Sequence, residues 1–396
     1  MLIHRALSVT LHKLIAHGRS MLLLGPRQVG KTTLLADIPA DKRISFIAPR
    51  TRLLYEKDPS RLADEIRAMP NVNHQKPLIV IDEVQKVPMI MDVVQELIDE
   101  QSAQFILTGS SARKLKRGHH SNLLPGRVIP LYLDPLSYEE MAFMKPNLSD
   151  LLSDGLLPQI TLCNDDSERA MLLDAYVSLY LEEEIRSEAL VRQLASFARF
   201  LELAAAESGQ IVNFSKLSQQ LGIAHTTVAN YYQILEDCLI AHRIAPYRDS
   251  RTRAKLTTAS RYVFFDLGVR RIAALEDREV PAEACGRRFE QYIILECIKQ
   301  TRLFPERIQV LFWRDPDGPE IDILLKTSNA LIPIEVKWTD RPTEKDTRHL
   351  KTFLKEYPEA QSAYIVCQTP TPLQLDVNIQ AIPWQSLSTV FKNLKW

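Results

Sequence analysis

Near the start of the chain stands the stretch Gly25-Pro26-Arg27-Gln28-Val29-Gly30-Lys31-Thr32-Thr33. It follows four apolar residues and has the pattern G-x-x-x-x-G-K-T, which predicts a buried strand turning into a helix near Lys31. Gly25 and Gly30 allow the backbone to curl, so that successive N–H groups and the positive end of the helix dipole attract a phosphate chain. Lys31 would reach the β- and γ-phosphates, and Thr32 would place its hydroxyl on Mg²⁺. The stretch therefore predicts an ATP site with Mg²⁺.

A second motif, Pro77–Glu83, reads P-L-I-V-I-D-E. Its four consecutive apolar residues predict a central parallel strand that is covered on both faces. Asp82 and Glu83 follow where that strand emerges, at the carboxyl end where open α/β sheets bind ligands. We expect Asp82 to bind Mg²⁺ through water and Glu83 to orient and polarise the water that attacks the triphosphate.

A third apolar run, Gln104–Leu107, ends in small polar residues. The order of strand, acidic pair, helix, strand and polar end is that of additional-strand P-loop ATPases. Thr108 or Ser110 is then a sensor candidate that would hydrogen-bond the γ-phosphate or the attacking water, and a simple cap of the strand end is the alternative. The segment from Arg113 to Arg127 is basic without any acid. It is open to three interpretations: contact with nucleic-acid phosphates, an arginine finger for a neighbouring subunit, or a solvated loop.

Composition limits the class of protein. A chain of 396 residues predicts two to four domains. Lys and Arg together number 49, as do Asp and Glu, so any surface that attracts nucleic acid must be local. The five cysteines are scattered and never form C-x-x-C, which argues against a disulfide framework and a zinc site and indicates the cytoplasm. Because every long apolar run is interrupted by charge, we expect no membrane span.

The stretch Ile211–Glu236 predicts a helix, a glycine turn and a second helix with a polar start. Such a helix-turn-helix fits the major groove of DNA. The residues expected to face outward are His225, Thr226, Thr227, Asn230 and Tyr231. Strands of a wing are expected at Cys238–Pro246 and Tyr262–Asp266, and phosphate contacts from nearby arginines that include Arg251 and Arg253. The second helix lacks the Arg and Lys usual in base readout, so docking of a protein partner is the alternative.

Near the end, three charged residues interrupt an otherwise apolar hairpin: Asp322, Glu335 and Lys337. Residues two apart in a strand share a face, so Glu335 and Lys337 point the same way and Asp322 on the neighbouring strand can meet them. Two carboxylates at one point bind Mg²⁺ or Mn²⁺, and Lys337 would activate water or stabilise charge on a phosphate. The spacing D-x(n)-E-x-K is typical of restriction-endonuclease-like nucleases, and Glu290 fits the acidic helix position of that fold.

These motifs together resemble a bacterial and archaeal family of AAA-like P-loop ATPases. In that family an ATPase is followed by a winged helix and a domain similar to restriction endonucleases. The landmarks span nearly the whole chain and are G-P-R-Q-V-G-K-T, I-D-E-V-Q, L-T-G-S-S, L-P-G-R, P-L-S-Y-E-E and I-P-I-E-V-K. The resemblance implies that Gly30, Lys31 and Thr32 bind ATP and Mg²⁺ and that Asp82 and Glu83 take part in hydrolysis. It also implies that Arg127 is a candidate arginine finger. The nuclease-like site that it implies consists of Glu290, Asp322, Glu335 and Lys337.

We therefore expect an α/β chain of four parts. These are an AAA-like P-loop NTPase with a parallel sheet (1–145), a helical lid or connector (146–195), a winged helix-turn-helix (196–258) and an α/β restriction-endonuclease-like domain (259–396). The favoured function is an ATP-driven hydrolase that acts with DNA, in which nucleotide state gates a metal-dependent nuclease site; a homo-oligomer or a protein partner stays open. The alternative is a non-catalytic switch whose C-terminal half binds protein or DNA and whose nuclease fold is inert.

Overall fold

The computed structural model describes residues 3–69, 76–111, 124–181, 194–248, 259–304, 307–315 and 318–392. Most of the basic segment that begins at Arg113, together with Arg251 and Arg253, lies outside these ranges. The described residues form two compact units, one of residues 3–136 with 233–240 and one of residues 137–181, 194–232 and 241–392. No helix within the described ranges has the length and apolar character that crossing a membrane requires.

The first unit is built on a parallel sheet of five strands. The strands are β1 (Ser20–Leu24), β2 (Lys42–Ser45), β3 (Leu78–Asp82), β4 (Gln104–Gly109) and β5 (Val128–Tyr132). They are ordered β2-β3-β4-β1-β5, and each neighbouring pair is parallel. Strand β4 thus lies between β1 and β3, and it is the additional strand that the order of the motifs predicts. The α/β class and the parallel sheet are confirmed.

The helices of the first unit are α1 (Leu7–Ala16), α2 (Lys31–Ala36), α3 (Pro49–Lys57), α4 (Arg61–Arg67) and α5 (Ile90–Asp99), with a 3-10 turn at Val84–Lys86. Helix α5 buries Ile90, Val94 and Leu97, spaced about one helical turn apart, in a core that also holds residues of β3 and β4. Burial of each such side chain stabilises the folded state by roughly 1.5–3 kcal/mol relative to exposure. The packed helices and sheet therefore hold the ends of β1, β3 and β4 in fixed positions.

The second unit contains an eight-stranded sheet in the order β12-β13-β11-β10-β9-β8-β6-β7. Its strands are β6 (Ala241–Pro246), β7 (Arg261–Phe264), β8 (Gln309–Arg314), β9 (Glu320–Lys326), β10 (Leu331–Val336), β11 (Ala363–Cys367), β12 (Leu373–Asp376) and β13 (Ile379–Pro383). Strands β8, β9 and β10 form an antiparallel meander, and β11 pairs in parallel with β10. In the ladder between β9 and β10, Ile323 faces Ile334, and Asp322 and Glu335 are the next residues along it.

The helices of the second unit are α6 (Tyr138–Met141), α7 (Leu148–Asp154), α8 (Pro158–Thr161), α9 (Asp166–Ala175), which continues as a π-helix over Tyr176–Leu181, α10 (Leu194–Ala206), α11 (Phe214–Leu221), α12 (His225–Asp237), α13 (Leu267–Ala273), α14 (Ala282–Thr301), α15 (Arg348–Glu356) and α16 (Ser388–Lys392). The last turn of α12 belongs to the first unit. Helix α14 precedes the meander, and α15 connects β10 to β11. Short 3-10 turns lie at Ala142–Met144, Glu344–Thr347 and Trp384–Ser386.

Helices α11 and α12 are separated by a turn that begins at Gly222, whose φ of 66° is left-handed. The strands β6 and β7 form an antiparallel hairpin, and β6 also pairs in parallel with β8. The first expected wing strand is shorter than predicted, because the preceding helix ends at Asp237 and residues 238–240 form a turn instead. The expectation that Tyr231 faces outward is wrong: Tyr231 is buried and packs against Phe197 and Phe200.

Candidate functional sites

The loop between β1 and α2 has the curvature that its glycines predict. Gly30 has a left-handed φ of 95° and precedes the first residue of α2. A Cβ atom on Gly25 would lie 2.3 Å from the carbonyl oxygen of Leu133, so no other residue fits there. Around them Pro26 and Val29 are buried, Arg27 and Gln28 half-buried, and Thr32 and Thr33 exposed. The hydroxyl groups of Thr32 and Thr33, on the first turn of α2, are therefore accessible beside the backbone of the loop.

Lys31 lies folded across this loop. Its side chain is buried, with 6% of the residue exposed. The Nζ atom donates hydrogen bonds to the carbonyl oxygens of Gly25 at 2.7 Å and Pro26 at 2.8 Å. The ammonium group is thus held at the mouth of the loop by main-chain oxygens, which a phosphate oxygen can replace as acceptors.

The ends of β3 and β4 and the first turn of α2 bring an acid and two hydroxyl groups together. The hydroxyl of Thr32 lies 3.4 Å from Oδ2 of Asp82. The hydroxyl of Thr108 donates to Oδ1 of Asp82 and accepts the backbone N–H of Glu83 at 3.0 Å. Hydroxyl and carboxylate oxygens are the ligands that Mg²⁺ prefers, so the donor set of Thr32 and Asp82 fits that ion.

Glu83 is held in an unusual backbone conformation by its neighbours. Its φ of 60° lies in the left-handed region, which costs a non-glycine residue roughly 1–3 kcal/mol and tends to occur at functional sites. The amide of Gln85 donates to Glu83 Oε2 and to the hydroxyl of Ser110 at 2.9 Å, and Ser110 lies 3.3 Å from Glu83 Oε2. Gln85 was not among the predicted site residues, although it stands within the landmark I-D-E-V-Q.

Arg5 is a second residue that sequence reasoning missed. Its guanidinium is buried and donates to the carbonyl oxygen of Val29 at 2.6 Å and to that of Asp134 at 2.7 Å. It therefore ties the phosphate loop to the segment that follows β5. No local pattern marks Arg5, because both acceptors are main-chain groups distant in the sequence.

Arg127 is paired on the surface of the first unit. Its Nε and Nη2 atoms donate to the two carboxylate oxygens of Asp99 at 2.7 and 2.9 Å. The hydrogen bond from Arg127 is the main cause that lowers the pKa of Asp99. The role of Arg127 as a finger stays a prediction, and it would require this ion pair to open.

The second unit holds a separate cluster of carboxylates. Glu335 is only 1% exposed, and its Oε2 accepts a hydrogen bond from Lys337 Nζ at 2.9 Å. Its Oε1 has no hydrogen-bond partner among the described residues, and the ring nitrogen Nδ1 of His349 lies 3.6 Å from it. Asp322 is buried beside it and accepts the backbone N–H of Val336 at 2.8 Å. The structure thus brings Asp322, Glu335 and Lys337 together, as their spacing predicts.

Glu290 joins this cluster from helix α14 through Arg261. The Nη1 atom of Arg261 donates to Glu290 Oε1 at 2.7 Å and lies 3.5 Å from the main-chain oxygen of Asp322. Its guanidinium also stacks over the ring of Phe312, 4.5 Å from the centroid. Arg261 was not predicted as a site residue, because only the packing of β7 against α14 brings it here.

Burial and mutual repulsion favour protonated carboxyls in this cluster. Burial, followed by the negative charge of Asp322, raises the pKa of Glu335 to about 9 and that of Glu290 to about 8. Burial opposes the charge on Lys337, but Glu335 and Asp322 outweigh it and raise the pKa of Lys337. A divalent cation would relieve this repulsion and displace the protons.

The donor set of the carboxylate cluster decides which metal ion it could hold. No group of three His, Cys, Asp or Glu side chains in the described ranges is arranged to hold a metal ion. Asp322 and Glu335 nevertheless supply carboxylate oxygens, one of them the partnerless Oε1 of Glu335. Mg²⁺ is commonly bound by one or two carboxylates and several waters, so these two residues fit it.

The predicted DNA-facing residues lie at the start of α12. His225, Thr226 and Asn230 are exposed, and Thr227 is half-buried. The ring of His225 contacts that of Phe214, with centroids 5.5 Å apart. These side chains form a small polar surface without Arg or Lys, and contact with DNA stays a prediction.

Comparison with protein families agrees with the geometry of the first unit. Residues 17–142 match the family model described as an AAA domain. After this match, residues 17–142 are called the AAA domain below. The phosphate loop, the acidic pair after β3 and the polar end of β4 all belong to this AAA domain. After it, residues 145–279 match a model described as a domain of unknown function (DUF8612), and residues 285–387 match another (DUF4143).

Similarity to other proteins extends beyond the AAA domain. An uncharacterised protein of Mycobacterium tuberculosis is 26% identical over 376 residues, which cover 93% of this chain and 81% of the relative. An uncharacterised protein of Methanocaldococcus jannaschii is 26% identical and covers 57% of each chain. Among solved structures, Cdc6p from Pyrobaculum aerophilum is similar with 14% identity and a TM-score of 0.28, over 75% of this chain and 92% of that one. That score is low, so the assignment of the AAA domain depends on the family match.

Proposed function

We propose that the AAA domain binds and hydrolyses ATP with Mg²⁺. The observation that carries this proposal is the convergence of Lys31, Thr32, Asp82 and Glu83 at the carboxyl ends of β1 and β3. Main-chain N–H groups of the loop would hold the phosphates, and Thr32 and Asp82 would hold the ion. When bound, Mg²⁺ neutralises charge that develops on the phosphate oxygens.

The residues of the loop and of β3 then have separate tasks. Lys31 exchanges its bonds to the carbonyl oxygens of Gly25 and Pro26 for the β- and γ-phosphate oxygens. Glu83 accepts a proton of the attacking water and aligns that water with the γ-phosphorus. Gln85 and Ser110 fix the carboxylate of Glu83, because both hydrogen-bond its Oε2. The arrangement therefore supports positioning of water rather than covalent catalysis.

Removal of the lysine tests this proposal. We expect Lys31→Ala to lower ATP turnover roughly 10²–10³-fold, since a positioned donor to developing charge contributes on that order. Release of phosphate is the measurement, and a cooperative melting transition at an unchanged temperature shows that the variant is folded. Turnover equal to that of the parent would disprove the assignment of the phosphate loop.

A second proposal concerns the carboxylate cluster of the second unit, which we infer to be a metal-dependent site for phosphodiester cleavage in DNA. The observation that favours it is the buried, partnerless Oε1 of Glu335 beside Asp322. The topology supports a restriction-endonuclease-like fold, because a helix precedes the β8–β10 meander and α15 leads to the parallel strand β11. Asp322 and Glu335 would hold the ion, and Lys337 would orient water or stabilise charge on the phosphate.

We also propose that α11, α12 and the β6–β7 hairpin act as a winged helix that contacts DNA. The exposed polar start of α12 supports this role, and the absence of Arg and Lys among its outward-facing residues makes docking of a protein the competing role. Arg127 would act as a finger if the AAA domain assembles with further copies. In this scheme nucleotide state moves the winged helix and controls access to the carboxylate cluster.

A cleavage assay separates this scheme from a non-catalytic switch. Single-stranded, duplex and branched DNA would be incubated with the full chain and Mg²⁺ or Mn²⁺, with and without ATP. We expect metal-dependent cutting that is lost in Asp322→Ala and retained in Asp340→Ala, an exposed acid of the same unit. DNA binding without any cutting by the parent chain would favour the switch with an inert nuclease fold.

A further inference from the structure

A pocket of about 70 Å³ lies in the second unit where the end of α10, the helix α13 and the start of α14 meet. Its walls include Ser208, Arg270, Glu276, Arg287, Arg288 and Gln291. A cavity needs roughly 10–15 Å³ of such volume to hold one water molecule. The space therefore accommodates an ion as large as a tetrahedral oxyanion.

Three guanidinium groups line this pocket with one carboxylate. Arg270 donates to both oxygens of Glu276, and Arg288 donates to Glu276 Oε2 at 2.7 Å. Arg287 is the third, and it is exposed at the mouth. Since the carboxylate of Glu276 balances one of the three positive charges, these four side chains carry a net charge of +2. Burial and the nearby charges of Arg288 and Arg287 lower the pKa of Arg270, although Glu276 opposes them.

Arg288 is the residue whose hydrogen bonds are incomplete. It is 4% exposed, yet its Nε and Nη1 atoms have no hydrogen-bond partner among the described residues. Arg270, by contrast, also donates its Nε to the carbonyl oxygen of Ala205 at 2.7 Å. Buried donors are nearly always paired in folded proteins, so the two open donors of this buried guanidinium point to a ligand that completes them.

The neighbouring side chains are held in place around these donors. Gln291 accepts the hydroxyl of Ser208 at 2.8 Å. Gly209, with a left-handed φ of 82°, makes room for Gln291, because a Cβ there would lie 2.7 Å from Gln291 Cγ. The side chains of Ser208 and Gln291 therefore fix each other before any ligand arrives.

We propose that this pocket binds a phosphate group, with Arg288 as its buried anchor and Arg287 at its entrance. Phosphate oxygens accept charge-assisted hydrogen bonds from guanidinium N–H groups, and a doubly charged oxyanion balances the net charge. The pocket differs from the carboxylate cluster, since Arg288 and Glu290 are two residues apart on α14 and so point in nearly opposite directions. The proposal is independent of nuclease activity.

Titration with inorganic phosphate tests the pocket. Because the phosphate loop also binds phosphate, the full chain would carry Lys31→Ala and be kept in EDTA at constant ionic strength. Calorimetry should show binding that chloride does not reproduce, and the melting temperature should rise with phosphate. We expect Arg288→Gln to weaken phosphate binding more than tenfold and Arg287→Gln several-fold, while Arg348→Gln, an exposed arginine of α15, changes nothing.

A variant that fills the pocket keeps the test decisive if Arg288→Gln fails to fold. Ala284 lines the pocket and is half-buried, so Ala284→Leu should block phosphate while the chain still melts cooperatively. Unchanged phosphate affinity in both Arg287→Gln and Ala284→Leu would overturn the proposal. So would a parent chain that does not bind phosphate at all.

A final comparison identifies the source of the phosphate. Fluorescent oligonucleotides with and without a 5′-phosphate would be titrated into the same variants. A higher affinity for the phosphorylated strand that Arg287→Gln abolishes would assign the pocket to a nucleic-acid end. Equal affinities, with phosphate binding intact, would assign it to a free phosphate or a nucleotide.

Discussion

The hydroxyl of Thr108 donates a hydrogen bond to Oδ1 of Asp82, which joins the ends of the neighbouring strands β4 and β3. The same hydroxyl accepts the N–H of Glu83 at 3.0 Å. One side chain thus orients the proposed metal ligand and the backbone of the residue proposed to position water. Thr108 is fully buried, and its role as a sensor of the γ-phosphate stays a prediction.

Removal of this hydroxyl should lower turnover more than binding. In Thr108→Val the carboxylate of Asp82 and the N–H of Glu83 lose a buried partner, which costs roughly 1–3 kcal/mol of folding free energy. We expect kcat for ATP hydrolysis to fall at least tenfold and the Kd for ATP to change little. Thr108→Ser keeps the hydroxyl and should restore most of the activity. Equal losses in both variants would show that the hydroxyl is not responsible.

Gly25→Ala should abolish nucleotide binding. The added Cβ would lie 2.3 Å from the carbonyl oxygen of Leu133, a main-chain atom that cannot move without shifting the segment after β5. Equilibrium binding of a fluorescent ATP analogue is the measurement. Gly286→Ala is the matched control, since the nearest atom to its Cβ is 3.8 Å away. Normal binding by Gly25→Ala would mean that the loop is less tightly packed than the structure indicates.

Arg5→Met should loosen the phosphate loop from a distance. It removes the two hydrogen bonds to the carbonyl oxygens of Val29 and Asp134, and we expect a loss of about 1–3 kcal/mol in the free energy of unfolding. The KM for ATP should rise several-fold, while kcat at saturating ATP stays near that of the parent. Arg19→Met, an exposed arginine of the same unit, should leave KM unchanged.

The carboxylate cluster predicts a pH dependence of stability. The folded chain raises the pKa of Glu335 to about 9 from an ordinary 4.5, so the folded state holds this proton more tightly than the unfolded state does. The contribution of Glu335 to the free energy of unfolding is therefore complete below pH 4.5. That stability is lost progressively as the pH rises toward 9. In EDTA, Glu335→Gln should flatten the fall in melting temperature between pH 5 and 9 and gain roughly 1–3 kcal/mol over the parent at the alkaline end.

The matched control for this experiment is Glu344→Gln, an exposed acid of the same unit, which should follow the pH profile of the parent. Mg²⁺ should stabilise the parent more at pH 8 than at pH 6, since the ion competes with the proton. A profile of Glu335→Gln that coincides with that of the parent would contradict the proposed protonation of Glu335.

The sequence alone predicts the features that depend on local spacing. Apolar runs locate β1, β3 and β4, and the residues that follow each run lie together because the carboxyl ends of parallel strands meet at one edge of a sheet. The alternation of a strand likewise predicts that Glu335 and Lys337 share a face, and they form a hydrogen bond at 2.9 Å.

Only the tertiary structure decides contacts between distant segments. Arg5 reaches an acceptor 129 residues away, and Arg261 reaches Glu290 because the β6–β7 hairpin, which spans the expected boundary at 258, joins the sheet of β8. Tyr231 is buried by the rings of Phe197 and Phe200, although helical spacing predicts that it faces outward. Periodicity determines which residues of one element share a face. It carries no information on which other element covers that face, and packing over the whole unit settles this.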